Sequence, residues 1–392
     1  MTLLIESHIF DPRPVSPLQV TAKRYSWFNP PSSGGSSSSS FQERYTLVCF
    51  HAGGFTKECW EPVLEALFSR VATCGQNAPF TIDEAWAIDC QNHGEAAALN
   101  ADALRSLPAY KNGYFQTTEW ADGTYQFLRA KTRIDQKRGR KFIGVGHSIG
   151  AVTLLHLAQC HPTLFSSVTI FDPILHPFSF EKECMASCSM YVALGYTRRD
   201  VWPSKQAALK DLQKNRMFKT WDPRQLELYV EHGLDDHPGG NYAPKYKGVT
   251  LKCTREQETA TFRGGPALRR HVLPKLMWLT DTIPVYICFG ENADFIPRPV
   301  QDALVDPSHA NFVQVTMIPN AGHLVIVQRP AACGEMLFEF LQHLTLNVVS
   351  TDTGSITVQA QRQDTSPEGR IHSSATSRDT GHVDRTAQMA RL

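Results

Sequence analysis

Lys141-Phe142-Ile143-Gly144-Val145-Gly146-His147-Ser148-Ile149-Gly150 is the stretch on which the reading of this chain turns. Lys141 to Val145 is a compact apolar run with β-branched residues, the pattern of a buried strand. Ala151 to Cys160 continues as an apolar helix. Gly146 to Gly150, between them, has the form G-x-S-x-G in the strand-to-helix context that gives this motif its meaning. A serine on so tight a turn projects Oγ into a cleft, and the flanking glycines let strand and helix approach without a Cβ clash. The helix N-terminus adds positive potential where an oxyanion would form.

Outward from this unit, short apolar runs alternate with longer amphipathic stretches, the pattern of a mostly parallel sheet joined by crossover helices. The expected parallel strands are Tyr45 to Phe50, Ala85 to Asp89, Lys141 to Gly146, Ser167 to Phe171, Pro284 to Phe289 and Phe312 to Ile318. A leading pair, Thr2 to Phe10 and Gln19 to Phe28, precedes them, with a Ser/Gly-rich surface loop at Ser32 to Ser40. Between Ile174 and Met277 no convincing strand is legible. That span reads as an inserted helical cap, with helices at Ser204 to Asn215 and Pro223 to His232. The core is then expected at residues 1–173 and 278–346, the cap at 174–277, and a polar, disordered tail at 347–392.

A chain of 392 residues, 42% hydrophobic, can bury one large core. A formal net charge of +1 offers no broad basic field for nucleic acid or anionic membrane, so a small-molecule partner is expected. Met1 to Phe10 contains Glu6 and lacks a cationic start, which fits neither a secretory signal nor a membrane span. The ten cysteines read as reduced core thiols. Cys184 and Cys188 lack the second pair that a metal site needs, and no metal or cofactor is expected.

A serine hydroxyl is a poor nucleophile until a base takes its proton. His323 is the expected base, because it follows the strand Phe312 to Ile318 across Pro319-Asn320-Ala321-Gly322. The chain order Ser, acid, His is that of the α/β-hydrolase fold. Two aspartates compete for the acid. Asp172 ends the strand after the nucleophile helix; Asp294 follows the next core strand, one residue past the slot that such acids often occupy, here Ala293. Asp172 is favoured, with Asp294 left open. For the oxyanion hole, Ile149 N–H is one expected donor. The second is assigned to Phe55 N–H, with Gly54 next, in the loop His51-Ala52-Gly53-Gly54-Phe55.

These residues also carry a resemblance. His51 to Phe55 with Lys57, Glu58, Trp60, Glu61 and Pro62, the Asp89/His93-Gly94 loop, the elbow and Asp172-Pro173 are similar to the fungal peroxisomal α/β-hydrolases. That group has lipase, acyl-CoA hydrolase and toxin-pathway members. Arg198, Arg199, Trp202, Pro203 and Ser204, then Trp221-Asp222-Pro223 and Leu251-Lys252-Cys253, extend the resemblance over about Tyr45 to Leu346. It supports Asp172 as the acid; a departure is Gly53, where the group carries asparagine. The last residues, Ala390-Arg391-Leu392, fit the small, basic, leucine form of a peroxisomal address, which implies the peroxisome matrix and an import receptor as partner.

The resemblance and that location imply a hydrolase of an acyl-CoA thioester or related ester in lipid or secondary-metabolite (toxin or polyketide) metabolism, through an acyl-enzyme on Ser148. Arg198 and Arg199, with Lys205, Lys210, Lys214 and Arg216, suit CoA phosphates. Trp202, Phe178, Phe180 and Tyr191 suit an acyl pocket. A solvated helix face and plain cap packing are the competing readings. Two alternatives for the activity stay open: a non-hydrolytic cyclase or isomerase, and a triacylglycerol lipase or esterase.

Overall fold

The apolar runs pair into one sheet. The structure, a computed structural model, describes residues 3–27, 43–110, 113–135, 141–237 and 247–351. In chain order the strands are β1 Leu3–Phe10, β2 Val20–Trp27, β3 Glu43–Phe50, β4 Phe80–Ile88, β5 Lys141–His147, β6 Ser167–Phe171, β7 Val201–Trp202, β8 Leu234–Asp236, β9 Val249–Leu251, β10 Val285–Gly290 and β11 Gln314–Ile318. Eight of them form the central sheet, ordered β1-β2-β4-β3-β5-β6-β10-β11. β1, β2 and β4 pair antiparallel, and every pair from β4 to β11 is parallel. This is the α/β-hydrolase fold expected from the sequence.

The middle strands read as near-continuous apolar runs because helices cover both faces. On one face Leu64 and Leu67 of the helix Glu61–Cys74, with Trp60 just before it, share a core with Leu337 and Leu341 of Pro330–Thr351. On the other, Trp120, Phe127 and Leu128 of the helix Thr118–Asp135 pack beside Leu154 and Leu155 of Ile149–Cys160. Each such side chain contributes about 1.5–3 kcal/mol by leaving water. β1, by contrast, carries Glu6 and Ser7 outward and is mostly exposed, as an edge strand should be. All ten cysteines are free thiols and seven of them are buried.

The span after Asp172 holds the helices Glu181–Thr197, Lys205–Leu212, Pro223–Gly233 and Arg255–Val272. Ser204 and Asp222 cap two of these through their side chains, which is why those starts were legible. The expectation of a cap without strands is corrected: β7, β9 and β8 form a three-stranded antiparallel sheet. Strands of two or three residues are too short to show a period of two. Buried side-chain hydrogen bonds fasten this region down. Gln225 Nε2 donates to the carbonyls of Cys59 at 2.9 Å and Ile326 at 3.1 Å. Asn92 Nδ2 donates to the Gln257 carbonyl at 3.0 Å and to Thr261 Oγ1 at 3.0 Å.

The last helix, Pro330–Thr351, runs past Leu346, where the core was expected to end. Ser32 to Ser40 and Ala390-Arg391-Leu392 lie outside the described residues. Among the described residues no helix is long and apolar enough to cross a membrane.

Candidate active site

β5 ends at His147 and the helix Ile149–Cys160 begins two residues later, so Ser148 alone makes the corner, at φ 56° and ψ −121°. Such a backbone is strained for any residue with a Cβ and persists only where its surroundings impose it. Here the Ser148 N–H donates to the Phe171 carbonyl at 3.0 Å. The flanking glycines are required: a Cβ on Gly146 would lie 2.6 Å from Ala151 Cα, and one on Gly150 would lie 2.2 Å from the His51 carbonyl oxygen.

Ser148 Oγ lies 2.9 Å from His323 Nε2, and His323 Nδ1 lies 2.8 Å from Asp172 Oδ1. The carboxylate can only accept, so Nδ1 carries the proton and the Nε2 lone pair faces the serine hydroxyl. All three side chains are buried. Asp172 Oδ2 accepts the Gly290 N–H at 3.0 Å, which fixes the carboxylate's second oxygen. The structure thus brings together the three residues picked out in the sequence. Asp294, the alternative acid, is close by but engaged elsewhere: its Oδ1 accepts the backbone N–H of His323 at 2.8 Å.

Two further groups hold His323. His147 Nε2 donates to the His323 carbonyl at 2.7 Å, and burial pushes the His147 ring down to about 3, so it stays neutral. Phe295 stacks on the His323 ring, with centroids 5.2 Å apart and planes 17° apart, and Tyr191 stacks on Phe295 in turn.

The assignment of oxyanion donors needs correction. The Phe55 N–H donates to the Ala52 carbonyl at 3.2 Å and the Gly54 N–H donates to His93 Nε2 at 2.9 Å, so both are occupied. Among the described residues, the N–H groups of Gly53 and Ile149 have no partner. Two neutral histidines set this arrangement. His93 donates from Nδ1 to Asn92 Oδ1 at 2.6 Å, leaving Nε2 to accept from Gly54. His51 donates from Nδ1 to the Ala52 carbonyl at 2.7 Å and accepts the Cys90 N–H at 3.0 Å. Burial holds both rings below the usual histidine range. The Phe55 side chain stacks on Trp221 at 5.1 Å and meets Tyr229 at 6.2 Å, an aromatic wall beside the loop.

Arg198, Arg199 and Trp202 do not converge on the serine as free recognition groups. Arg198 Nη1 pairs with Glu258 at 2.8 Å and its Nη2 donates to the Tyr229 hydroxyl. Arg199 pairs with Asp211 at 3.2 Å, and the buried Trp202 donates from Nε1 to the same carboxylate at 2.9 Å. Lys205 pairs with Glu231 at 3.1 Å. Phe178 is exposed, whereas Tyr191 reaches the triad through Phe295. A small pocket lies between Gly54, Phe55 and the cap residues Arg198, Tyr229 and Glu258. It borders the loop His51 to Phe55 and is not lined by Ser148, His323 or Asp172. Among the described residues no group of three or more His, Cys, Asp or Glu side chains could hold a metal ion.

Sequence reasoning missed the roles of His51, His93 and Phe295, and it missed Tyr191 as a neighbour of the triad. These residues lie far from Ser148 along the chain and give no local signal; only the likeness of the Asp89/His93-Gly94 loop to a known pattern hinted at His93.

A nucleophile elbow at the carboxyl end of β5, beneath a capped and mostly parallel sheet, defines a class, and residues 47–335 match the model of the Alpha/beta hydrolase family: the chain belongs to that family. It is 27% identical over 223 residues to the Type I acyl-CoA thioesterase mpaH of Penicillium roqueforti (strain FM164). That match covers 55% of this chain and 45% of the relative, so the chain spans less than half of the relative's length. Abhydrolase domain-containing protein AFT2-1 of Alternaria alternata is 23% identical over 225 residues, covering 51% of this chain and 82% of that protein. Among solved structures, the peroxisomal alpha-beta-hydrolase Lpx1 from Saccharomyces cerevisiae superposes with a TM-score of 0.67 over 93% of each chain, at 17% identity. A likeness at that identity concerns the fold.

Proposed function

We propose that this chain is a serine acyl hydrolase that cleaves an acyl-CoA thioester or a related carboxylic ester. The observation that carries the reading is the continuous relay from Ser148 Oγ to His323 Nε2 at 2.9 Å and from His323 Nδ1 to Asp172 Oδ1 at 2.8 Å.

In this mechanism His323 Nε2 takes the hydroxyl proton as Ser148 Oγ attacks the acyl carbon, and the Asp172 carboxylate balances the imidazolium that forms. The oxygen that becomes negative is received by the free N–H groups of Ile149 and Gly53. Each such donor is worth about 3–4 kcal/mol in the transition state. Collapse of the tetrahedral adduct breaks the bond to the leaving thiolate or alkoxide, which takes its proton from His323. Water, deprotonated by the same imidazole, then attacks the acyl-enzyme and releases the free acid and the serine. A thioester substrate is supported by the acyl-CoA thioesterase relative.

Residence in the peroxisome matrix, delivery by an import receptor reading Ala390-Arg391-Leu392, and a place in lipid or secondary-metabolite metabolism belong to the same proposal. A fluorescent fusion is expected to enter peroxisomes and to lose import when the tripeptide is deleted. For the chemistry, a fluorophosphonate probe should label Ser148, and product mass spectrometry over a panel of acyl-CoAs and esters should show free acid. Ser148→Ala should remove both. Turnover that survives Ser148→Ala would mean that the cleft runs a non-hydrolytic reaction.

A further inference from the structure

The loop that leaves β6 carries Asp172 and, four residues on, His176. His176 is 3% exposed, and neither of its ring nitrogens has a hydrogen-bond partner. A buried imidazole without partners is rare in a folded protein, because desolvation is then uncompensated. Burial, with the Arg269 charge and the His323 ring adding to it, pushes His176 down to about 4, so it is neutral in the free protein.

Arg269 stands in the same state. It is 1% exposed, and while Nη2 is paired with Glu181, Nε and Nη1 have no partner. Its guanidinium carbon lies 5.1 Å from the Phe178 ring centroid. Arg269 sits in the helix Arg255–Val272, one turn after Gly265, and a Cβ on Gly265 would touch Ile149 Cδ1 at 4.0 Å. Residues at i and i+4 share a helix face, so Arg269 lies one turn from the contact with the elbow. Two buried side chains with empty hydrogen-bonding positions therefore lie within electrostatic reach of each other, one four residues after Asp172 and one on the helix that passes Ile149.

We infer that His176 and Arg269 form a subsite for a carboxylate carried on the acyl part of the substrate, so that the preferred substrates are carboxy-bearing acyl thioesters or esters. This rests on the hydrolase reading above. A carboxylate offers acceptors to Nε–H and Nη1–H of Arg269 and to the imidazole together, and charge-assisted bonds of this kind are the strong ones. A seated anion also favours the imidazolium, which lets both ring nitrogens donate. CoA phosphates share the anionic-oxygen chemistry, but both side chains are almost fully enclosed, which suits a group on the acyl chain better than the bulky, solvated nucleotide end.

The test compares kcat/KM for ω-carboxyacyl thioesters and uncharged acyl thioesters of equal length, over a series of lengths, each on N-acetylcysteamine and on CoA. The wild-type protein should prefer the carboxylated member at its best length on both carriers. Arg269→Gln and His176→Asn should each cut that preference roughly ten- to a hundredfold. Arg269→Lys should restore part of it, and the fluorophosphonate labelling rate of Ser148 reports whether each variant keeps its fold. The inference is overturned if the wild type shows no preference at any length. It also fails if the variants change both members of a pair equally, or if they change only the CoA-to-N-acetylcysteamine ratio, which would assign Arg269 to phosphate. Loss of all turnover in Ser148→Ala, seen alongside any of these outcomes, shows that the hydrolase reading stands on its own.

Discussion

Asp294 accepts the backbone N–H of His323 at 2.8 Å, while Asp172 accepts the imidazole Nδ1–H of the same residue at the same distance. Two aspartates that compete in the sequence are thus divided between the main chain and the side chain of one histidine. Asp172→Ala should lower kcat by roughly 10³–10⁴-fold, as loss of the orienting carboxylate does in other triads. Asp294→Ala should keep most activity and cost about 1–3 kcal/mol of stability through the lost loop bond. Steady-state kinetics and urea unfolding separate the two, and a larger kinetic loss in Asp294→Ala would reverse the roles.

Arg198 is matched to Glu258 and Tyr229 and is not free for a phosphate. Arg198→Ala should leave the buried Glu258 carboxylate unpaired and destabilise the protein by up to about 3 kcal/mol. Its effect on KM should be the same for CoA and N-acetylcysteamine thioesters of one acyl group. A selective rise in KM for the CoA ester would restore the phosphate role.

The neutral buried histidines make stability depend on pH. The folded chain holds His147 down to about 3 and His176 down to about 4, with His51 and His93 also lowered, whereas the unfolded chain protonates near 6.5. Their contribution is fully present above about 6.5 and shrinks as pH falls toward those folded values, because the unfolded chain gains protons first. Unfolding free energies from urea titrations should therefore fall between about pH 6.5 and 4, by up to about 1.4 kcal/mol per pH unit for each of His147 and His176. His147→Gln should flatten that slope; an unchanged slope in this variant would remove His147 from the account.

Local constraints explain what was legible. The elbow announces itself because a serine at positive φ needs small neighbours, and Gly146 and Gly150 are the visible trace of that need. β5 and β6, almost wholly buried, are largely apolar and were found nearly to the residue. The order of the triad followed from the fold once those strands were placed. What escaped depends on distant partners. The Gly54 amide is taken up by His93, in a loop about 40 residues on, and the Phe55 amide by the Ala52 carbonyl, so which amide of this loop stays free could not be read from its glycines. Whether Arg198 is free to meet a ligand is decided by Glu258, 60 residues away. The helix Arg255–Val272 hides behind Gly264-Gly265-Pro266, which reads as a break.

The hydrogen bonds from Gln225 to Cys59 and Ile326, and from Asn92 to Gln257 and Thr261, join cap to core with donors that are themselves buried. Opening that seam would strip several amides of their acceptors at once, so the roof is a fixture and not a hinged door. Catalysis should then proceed with the same profile on dissolved and on micellar substrate, without the jump at an oil–water boundary that a swinging lid produces.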